Sequence, residues 1–331
     1  MKNICAIFAG VLLLMNMEAR ELNLKGHEYV SLKKVADTYK MSYELKEKEV
    51  VLKSEESSMR FPLGSRWGSV NRTNVAFIYP VEFDHDPKTG KITNPRIDKM
   101  DFKLTLEPLM RPEILEKHSV KLIMIDPGHG GKEPGCMNER YKEKDLNLIY
   151  AKKLKAELEK AGYKVNLTRD IDKCVGLKDR ADITASAKAD LFISLHINAL
   201  SPFETKARGI ENYCMTPAGG CSTNSGKVYG YQHTAESYPG NKHDLNNFVL
   251  TYCIQKAMVK ATGATDRSAR RANFSVLRNN AVPAVLVESG YLTNPEEEKL
   301  LVSEEYQDKI VKAVVQGINA YADKVKKCSP K

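Results

Sequence analysis

The chain has 331 residues, of which 42% are hydrophobic and 28% charged, and its formal net charge is +9. That balance excludes a wholly disordered chain, and the length suits one ordinary domain plus a smaller one. A basic surface favours acidic partners such as wall polymers, membranes or nucleic acid, but the lysines are scattered over predicted helices with no dense tract of interleaved aromatics, so nucleic acid is not an expected partner.

At the N-terminus, Lys2 precedes an apolar run from Ile4 to Met15, and Ala19 follows a short polar break. A basic start, a short apolar core and a small residue describe a secretory signal peptide over residues 1–19. The run is too short to span a bilayer, and no second segment is a transmembrane candidate. Export to the periplasm or the cell wall is the expectation. Cys5 would leave with the signal. The other six cysteines, Cys136, Cys174, Cys214, Cys221, Cys253 and Cys328, permit disulfides without dictating their pairing. Cys214 and Cys221 are near enough to close a small loop, and buried free thiols are the other reading. The six contain no CxxC pair, which argues against a cysteine zinc cluster.

Residues 20–112 read as a small β-rich module. Alternating stretches such as Glu49-Val50-Val51-Leu52 and Val75-Ala76-Phe77-Ile78-Tyr79 are separated by turn-rich clusters such as Asp86-Pro87-Lys88-Thr89-Gly90. A helix from Ser31 to about Tyr39 interrupts them, with Ser31 as its N-cap. Ser31-Leu32-Lys33-Lys34-Val35-Ala36 followed by strands is similar to the copper-amine-oxidase-like N-terminal domain of exported bacterial proteins. The resemblance implies a wall-associated or spacer module and no copper chemistry.

A linker, Pro108 to Ser119, leads to a region of different pattern over residues 120–325. Strands are expected at Val120–Ile125, Tyr163–Leu167, Leu191–Leu195, Ile210–Cys214, Ser275–Leu277 and Ala284–Val287. Helices are expected at Lys144–Ala161, with Leu146, Ile149, Leu154 and Leu158 on its apolar face and Gly162 at its end, and at Leu177–Ala187, Asn246–Thr262 and Glu304–Asp323. The alternation predicts an α/β domain, a twisted, mostly parallel sheet flanked by helices, preceded by the small β-rich domain.

Four residues stand out within this region. Asp126-Pro127-Gly128-His129-Gly130-Gly131 follows directly on a buried strand, where open α/β sheets place their ligands; the glycines permit a sharp turn, and no phosphate-loop GxxxxGK[ST] pattern is present. His196 ends the run Leu191-Phe192-Ile193-Ser194-Leu195 in the same way. Glu143 opens the helix after the glycine turn, where the helix macrodipole alone would also favour a carboxylate. Glu288 terminates Pro283-Ala284-Val285-Leu286-Val287, and a carboxylate at the end of a buried strand calls for a metal or a hydrogen-bond partner.

These pieces carry a resemblance. DPGHGGKEPG (126–135), EKD (143–145), LFISLHINA (191–199), GIENY (209–213) and ANFSVLRNNAVPAVLVESGYLTNPEE (272–297) occur in the order and spacing of the zinc-dependent N-acetylmuramoyl-L-alanine amidases of the Amidase_3 type, which the stretch from Ile123 to Tyr321 resembles. The resemblance implies a Zn2+ held by His129, Glu143 and His196, and Glu288 as the catalytic acid/base. It implies cleavage of the amide between the lactyl group of N-acetylmuramic acid and L-alanine in peptidoglycan. Two departures are visible. Asp266-Arg267-Ser268 replaces the family's Asp-Arg-Gly, with an altered turn expected, and Thr216 to Asp244 is a long loop-like insertion expected to shape the substrate cleft. Its His233 and His243 read as surface residues outside any metal site. A binding protein that keeps the fold without catalysis, and a zinc peptidase cutting within the stem peptide, are the alternative readings. No activator protein is identifiable from the sequence.

Overall fold

The structure, a computed structural model, describes residues 27–200, 205–224 and 236–327. The signal-peptide expectation at 1–19, Cys5, His233 and Cys328 lie outside these residues. The five cysteines within them, Cys214 and Cys221 included, form no disulfide. No helix among the described residues is long and apolar enough to cross a membrane.

The N-terminal part comprises β1 (Tyr29–Ser31), α1 (Leu32–Thr38), β2 (Ser42–Leu45), β3 (Glu49–Lys53), β4 (Ser58–Pro62), β5 (Trp67–Val70), β6 (Thr73–Ala76), β7 (Glu82–His85) and β8 (Ile92–Asp98). Ser31 caps α1 by accepting from the Lys34 N–H. The second part comprises β9 (Leu122–Pro127), α2 (Glu143–Lys160), β10 (Lys164–Leu167), α3 (Leu177–Ser186), β11 (Leu191–Asn198), β12 (Ile210–Met215), α4 (Asp244–Thr262), β13 (Asp266–Ala272), α5 (Ser275–Arg278), β14 (Ala284–Tyr291), α6 (Pro295–Leu301) and α7 (Glu304–Lys327).

One eleven-stranded sheet runs through both parts in the order β10-β9-β11-β14-β12-β13-β6-β5-β4-β3-β2, and β1, β8 and β7 form a separate antiparallel sheet. The strands of the second part pair in parallel except where β12 meets β14. The sheet is therefore mixed. Its strands read as continuous apolar runs because both faces are covered. Ile123, Ile193, Leu195, Val285 and Val287 belong to the larger core, on the side of α2, α4 and α7. Met124, Phe192, Tyr213 and Leu286 belong to a second cluster with Val276 and Leu277 of α5. Side chains alternate along a strand, so His196 shares a face with Phe192, Glu288 with Leu286, and Glu211 with Tyr213.

The N-terminal strands join this sheet at a seam that has one backbone pairing and a shared apolar core. β13 and β6 pair in parallel at Ala269 and Val75, and side chains carry the rest. Asp266 accepts from the Asn74 N–H at 2.7 Å, Tyr252 Oη donates to the Val70 carbonyl at 2.9 Å, and Tyr79 Oη donates to the Gly219 carbonyl at 3.0 Å. The linker is pinned as well. Residues 107–110 are helical, and Asn246 Oδ1 accepts from the Glu116 N–H while its Nδ2 donates to the Glu116 carbonyl, at 3.1 and 3.0 Å.

Several expectations are corrected. Ser275–Leu277 is helical: the Phe274 carbonyl accepts from both Leu277 and Arg278 N–H at 2.9 Å, and so short an apolar segment satisfies either periodicity. Ile149 is 42% exposed; Tyr150 takes its place in the core. Asp266-Arg267-Ser268 opens β13 and makes no turn, but Ser268 holds φ 86°, a left-handed backbone that favours the family's glycine. His243 is a tether, hydrogen-bonded to Glu116 and to the Ala281 carbonyl.

Tyr252→Phe removes the donor from a buried carbonyl across the seam. It should lower unfolding stability by about 1–2 kcal/mol, read as a lower urea midpoint in Trp67 fluorescence.

Candidate metal centre and its surroundings

The centre is built on the turn after β9. His129 has φ 62°, a left-handed backbone that is uncommon for a residue with a Cβ and costs on the order of 1 kcal/mol or more. Two buried arginines hold the turn. Arg169 donates to the Pro127 and Gly128 carbonyls at 2.9 Å each, and to that of Lys144 at 2.8 Å. Arg180 donates to the Pro127 and His129 carbonyls at 3.1 and 2.9 Å. Arg180 also pairs with Asp126, both side chains fully buried, and Asp126 accepts from Thr168 Oγ1 at 2.6 Å and Ser194 Oγ at 2.8 Å.

Two glycines make the room. A Cβ on Gly128 would lie 2.3 Å from the His196 ring. A Cβ on Gly135 would lie 2.4 Å from Glu143 Oε2 and 2.7 Å from His129 Cδ2. The motif DPGHGGKEPG therefore supplies His129 and, at two of its glycines, the space for His196 and Glu143.

Glu143, the first residue of α2, is only 4% exposed. Its Oε1 lies 2.9 Å from His196 Nδ1 and its Oε2 lies 3.3 Å from His129 Nε2. The carboxylate also accepts from the backbone N–H of Cys136 at 2.8 Å and of Ile197 at 3.1 Å. Burial opposes its ionisation, but hydrogen bonds from His129 and then His196 outweigh burial and hold the carboxyl well below its ordinary range. One donor atom from each of His129, Glu143 and His196 can be chosen so that all three lie within 4.8 Å of one another. Two imidazoles and one carboxylate form a donor set that zinc uses in catalytic sites.

The sheet register places Glu288 beside this cluster. His196 of β11 pairs with Glu288 of β14, and Glu288 pairs with Glu211 of β12. Burial, then the charges of Glu143 and Glu211, push the Glu288 carboxyl well above its ordinary range. Its Oε2 is buried with no hydrogen-bond partner among the described residues. An orphaned carboxylate oxygen beside a two-imidazole, one-carboxylate set fits a metal site in which His129, Glu143 and His196 would hold the ion.

All four residues singled out in the sequence thus converge, while His243 stands elsewhere. Glu211 was quoted within GIENY without a role. It is 2% exposed and is bound by Asn198, Arg270 and Tyr291 Oη, the last at 2.8 Å, with Arg267 Nε at 3.4 Å. A glutamate inside an otherwise buried strand was the available signal; its partners come from three other strands and carry no common spacing.

Comparison with known proteins agrees with this arrangement. The family model described as Amidase_3, N-acetylmuramoyl-L-alanine amidase, matches residues 123–320. The N-acetylmuramoyl-L-alanine amidase AmiA of Salmonella typhimurium is 31% identical over 231 residues, 64% of this chain and 79% of its own length. The catalytic domain of CwlV, an N-acetylmuramoyl-L-alanine amidase from Bacillus (Paenibacillus) polymyxa, superposes with a TM-score of 0.50 at 30% identity, over 61% of this chain and 98% of that domain. The CwlD amidase of Clostridioides difficile, solved in complex with the GerS lipoprotein, gives a TM-score of 0.51 at 28% identity, over 61% of this chain and 98% of that one.

Gly128→Ala should displace the His196 ring and weaken zinc binding by about 10–100-fold, measured by competition with a chromogenic chelator.

Proposed function

The chain belongs to the Amidase_3 family of N-acetylmuramoyl-L-alanine amidases, and on that premise we propose that it hydrolyses the lactyl–L-alanine amide of peptidoglycan with zinc held by His129, Glu143 and His196. The observation that carries this reading is the convergence of those three residues next to Glu288, whose Oε2 has no hydrogen-bond partner among the described residues. When bound, zinc lowers the pKa of a water molecule toward about 7 and polarises a carbonyl oxygen.

The chain's own residues do the rest. Glu143 stays ionised because two imidazoles and two backbone N–H groups face it. Glu288 takes a proton from water as the new carbon–oxygen bond forms at the lactyl carbonyl. It returns that proton to the alanine nitrogen as the carbon–nitrogen bond breaks. The products are a lactyl carboxylate and a free peptide amine. Burial raises the proton affinity of Glu288, which suits an acid/base that must hold the proton between the two halves of the reaction.

We further assign residues 1–19 to a signal peptide, 20–112 to a β-rich module of the copper-amine-oxidase-like kind, and 120–325 to the catalytic domain. Export to the periplasm or cell wall, where peptidoglycan lies, is part of the same reading, and the insertion from Thr216 to Asp244 is assigned to shaping the cleft.

Purified sacculi should release stem peptide with a free L-alanine amine, and a chelator should abolish the release. Products cut within the stem peptide would instead identify a peptidase. Glu288→Gln should retain zinc and lose about 10²–10⁴-fold in kcat; undiminished turnover would remove Glu288 from its role.

A further inference from the structure

The polar row that begins at the metal centre does not stop at Glu211. Arg270 of β13 reaches back to Glu211 and donates to Tyr213 Oη at 2.8 Å. Its guanidinium also lies over the ring of Trp67, 4.8 Å from the ring centroid. Trp67 belongs to β5, in the N-terminal part of the chain. At about 4.8 Å per strand, the four steps from β14 through β12, β13 and β6 to β5 span about 19 Å. At the far end lies a cavity of about 450 Å³ lined by residues of both parts of the chain, among them Trp67, Arg60, Glu49, Asn74, Arg267 and Arg270.

The chemistry of this cavity is that of a built site. Trp67 is 41% exposed, a large aromatic surface at its wall. Arg270 is only 8% exposed, and its Nε is buried with no hydrogen-bond partner among the described residues. The other charges are balanced. Arg60 forks onto Glu49 through two hydrogen bonds of 2.9 and 3.0 Å, Arg267 faces Glu211, and Asp266 accepts from Asn74, Gln255 and Ser268. A small anion gains little where each guanidinium already has a carboxylate beside it. A neutral ligand that both donates and accepts, and that has one apolar face for the indole, matches the lining better.

We propose that this cavity is a sugar subsite, in which the N-terminal strands bind the glycan strand of the substrate about 19 Å from Glu288 along the sheet. The inference rests on the peptidoglycan reading above, since it names which part of that polymer the second half of the molecule holds. It also gives the N-terminal strands a place in the substrate cleft, beyond that of a spacer.

Trp67 is the chain's one tryptophan, so its fluorescence reports directly on the cavity. Titration of the full protein with uncharged β-1,4-linked N-acetylglucosamine oligomers, which present the sugar faces of the glycan strand without its lactyl carboxylates, should produce a saturable change in emission. Arg60→Ala should weaken that binding about tenfold, as expected for a lost hydrogen bond to a charged group. Trp67→Ala should raise KM for long glycan strands about tenfold with kcat held, and leave a single-disaccharide muramyl peptide hydrolysed as by the unaltered enzyme. Silence of Trp67 toward glycan, a response to free stem peptide instead, or equal losses on long and short substrates would each overturn the proposal. A protein that binds glycan through Trp67 and cuts nothing would overturn the amidase reading and leave the subsite standing.

Discussion

The site depends on the clamp that two buried arginines place on the turn after β9. His129 meets Glu143 from a left-handed backbone, and such a conformation persists only when its surroundings over-determine it. Arg169 and Arg180 together take the carbonyls of Pro127, Gly128 and His129. The charge of Arg180 is in turn met by Asp126, at the end of the same strand. Removing one member of so buried a pair leaves an uncompensated charge, a loss of about 3–5 kcal/mol. The clamp ties β9, α3 and the segment after β10 into one unit before any metal ligand is considered.

The sheet supplies the second constraint. Pairing His196 with Glu288 and Glu288 with Glu211 puts one polar side chain from each of three neighbouring strands at the same level. A slip of one residue in either pairing would turn the glutamate to the other face, into the apolar core under α4 and α7. The acids therefore stand where hydrophobic packing of Val285, Val287, Ile193 and Leu195 sets the register, and the geometry of the polar row is inherited from the core.

Much of this was legible in the sequence, and the exceptions have physical causes. Buried strands announced themselves as apolar runs, and the four site residues stood where those runs and the glycine turn ended. β13 was overlooked because Arg267, Arg270 and Arg271 break any apolar pattern. Yet Arg271 is fully buried and donates through its two terminal nitrogens to the carbonyls of Met215 and Leu104, while its Nε has no partner among the described residues, an arrangement visible only in three dimensions. Glu211 was equally silent, since its partners lie on β11, β13 and β14. The joining of the two parts into one sheet left no trace in either pattern, because the seam is one backbone pairing, a handful of side-chain bonds and a shared apolar core whose members lie far apart in sequence.

That seam bears on solubility. A long parallel strand at a sheet margin offers unpaired N–H and C=O groups to any passing chain. Without the N-terminal strands, β13 would be such a margin, seven residues long. The strands from β6 to β2 move the margin outward to Ser42–Leu45, a strand of four residues with Glu44 in it and Lys46 just beyond. Short, charged borders of this kind discourage edge-to-edge association. The N-terminal strands thereby protect the sheet from fibre-like self-pairing between copies of the chain.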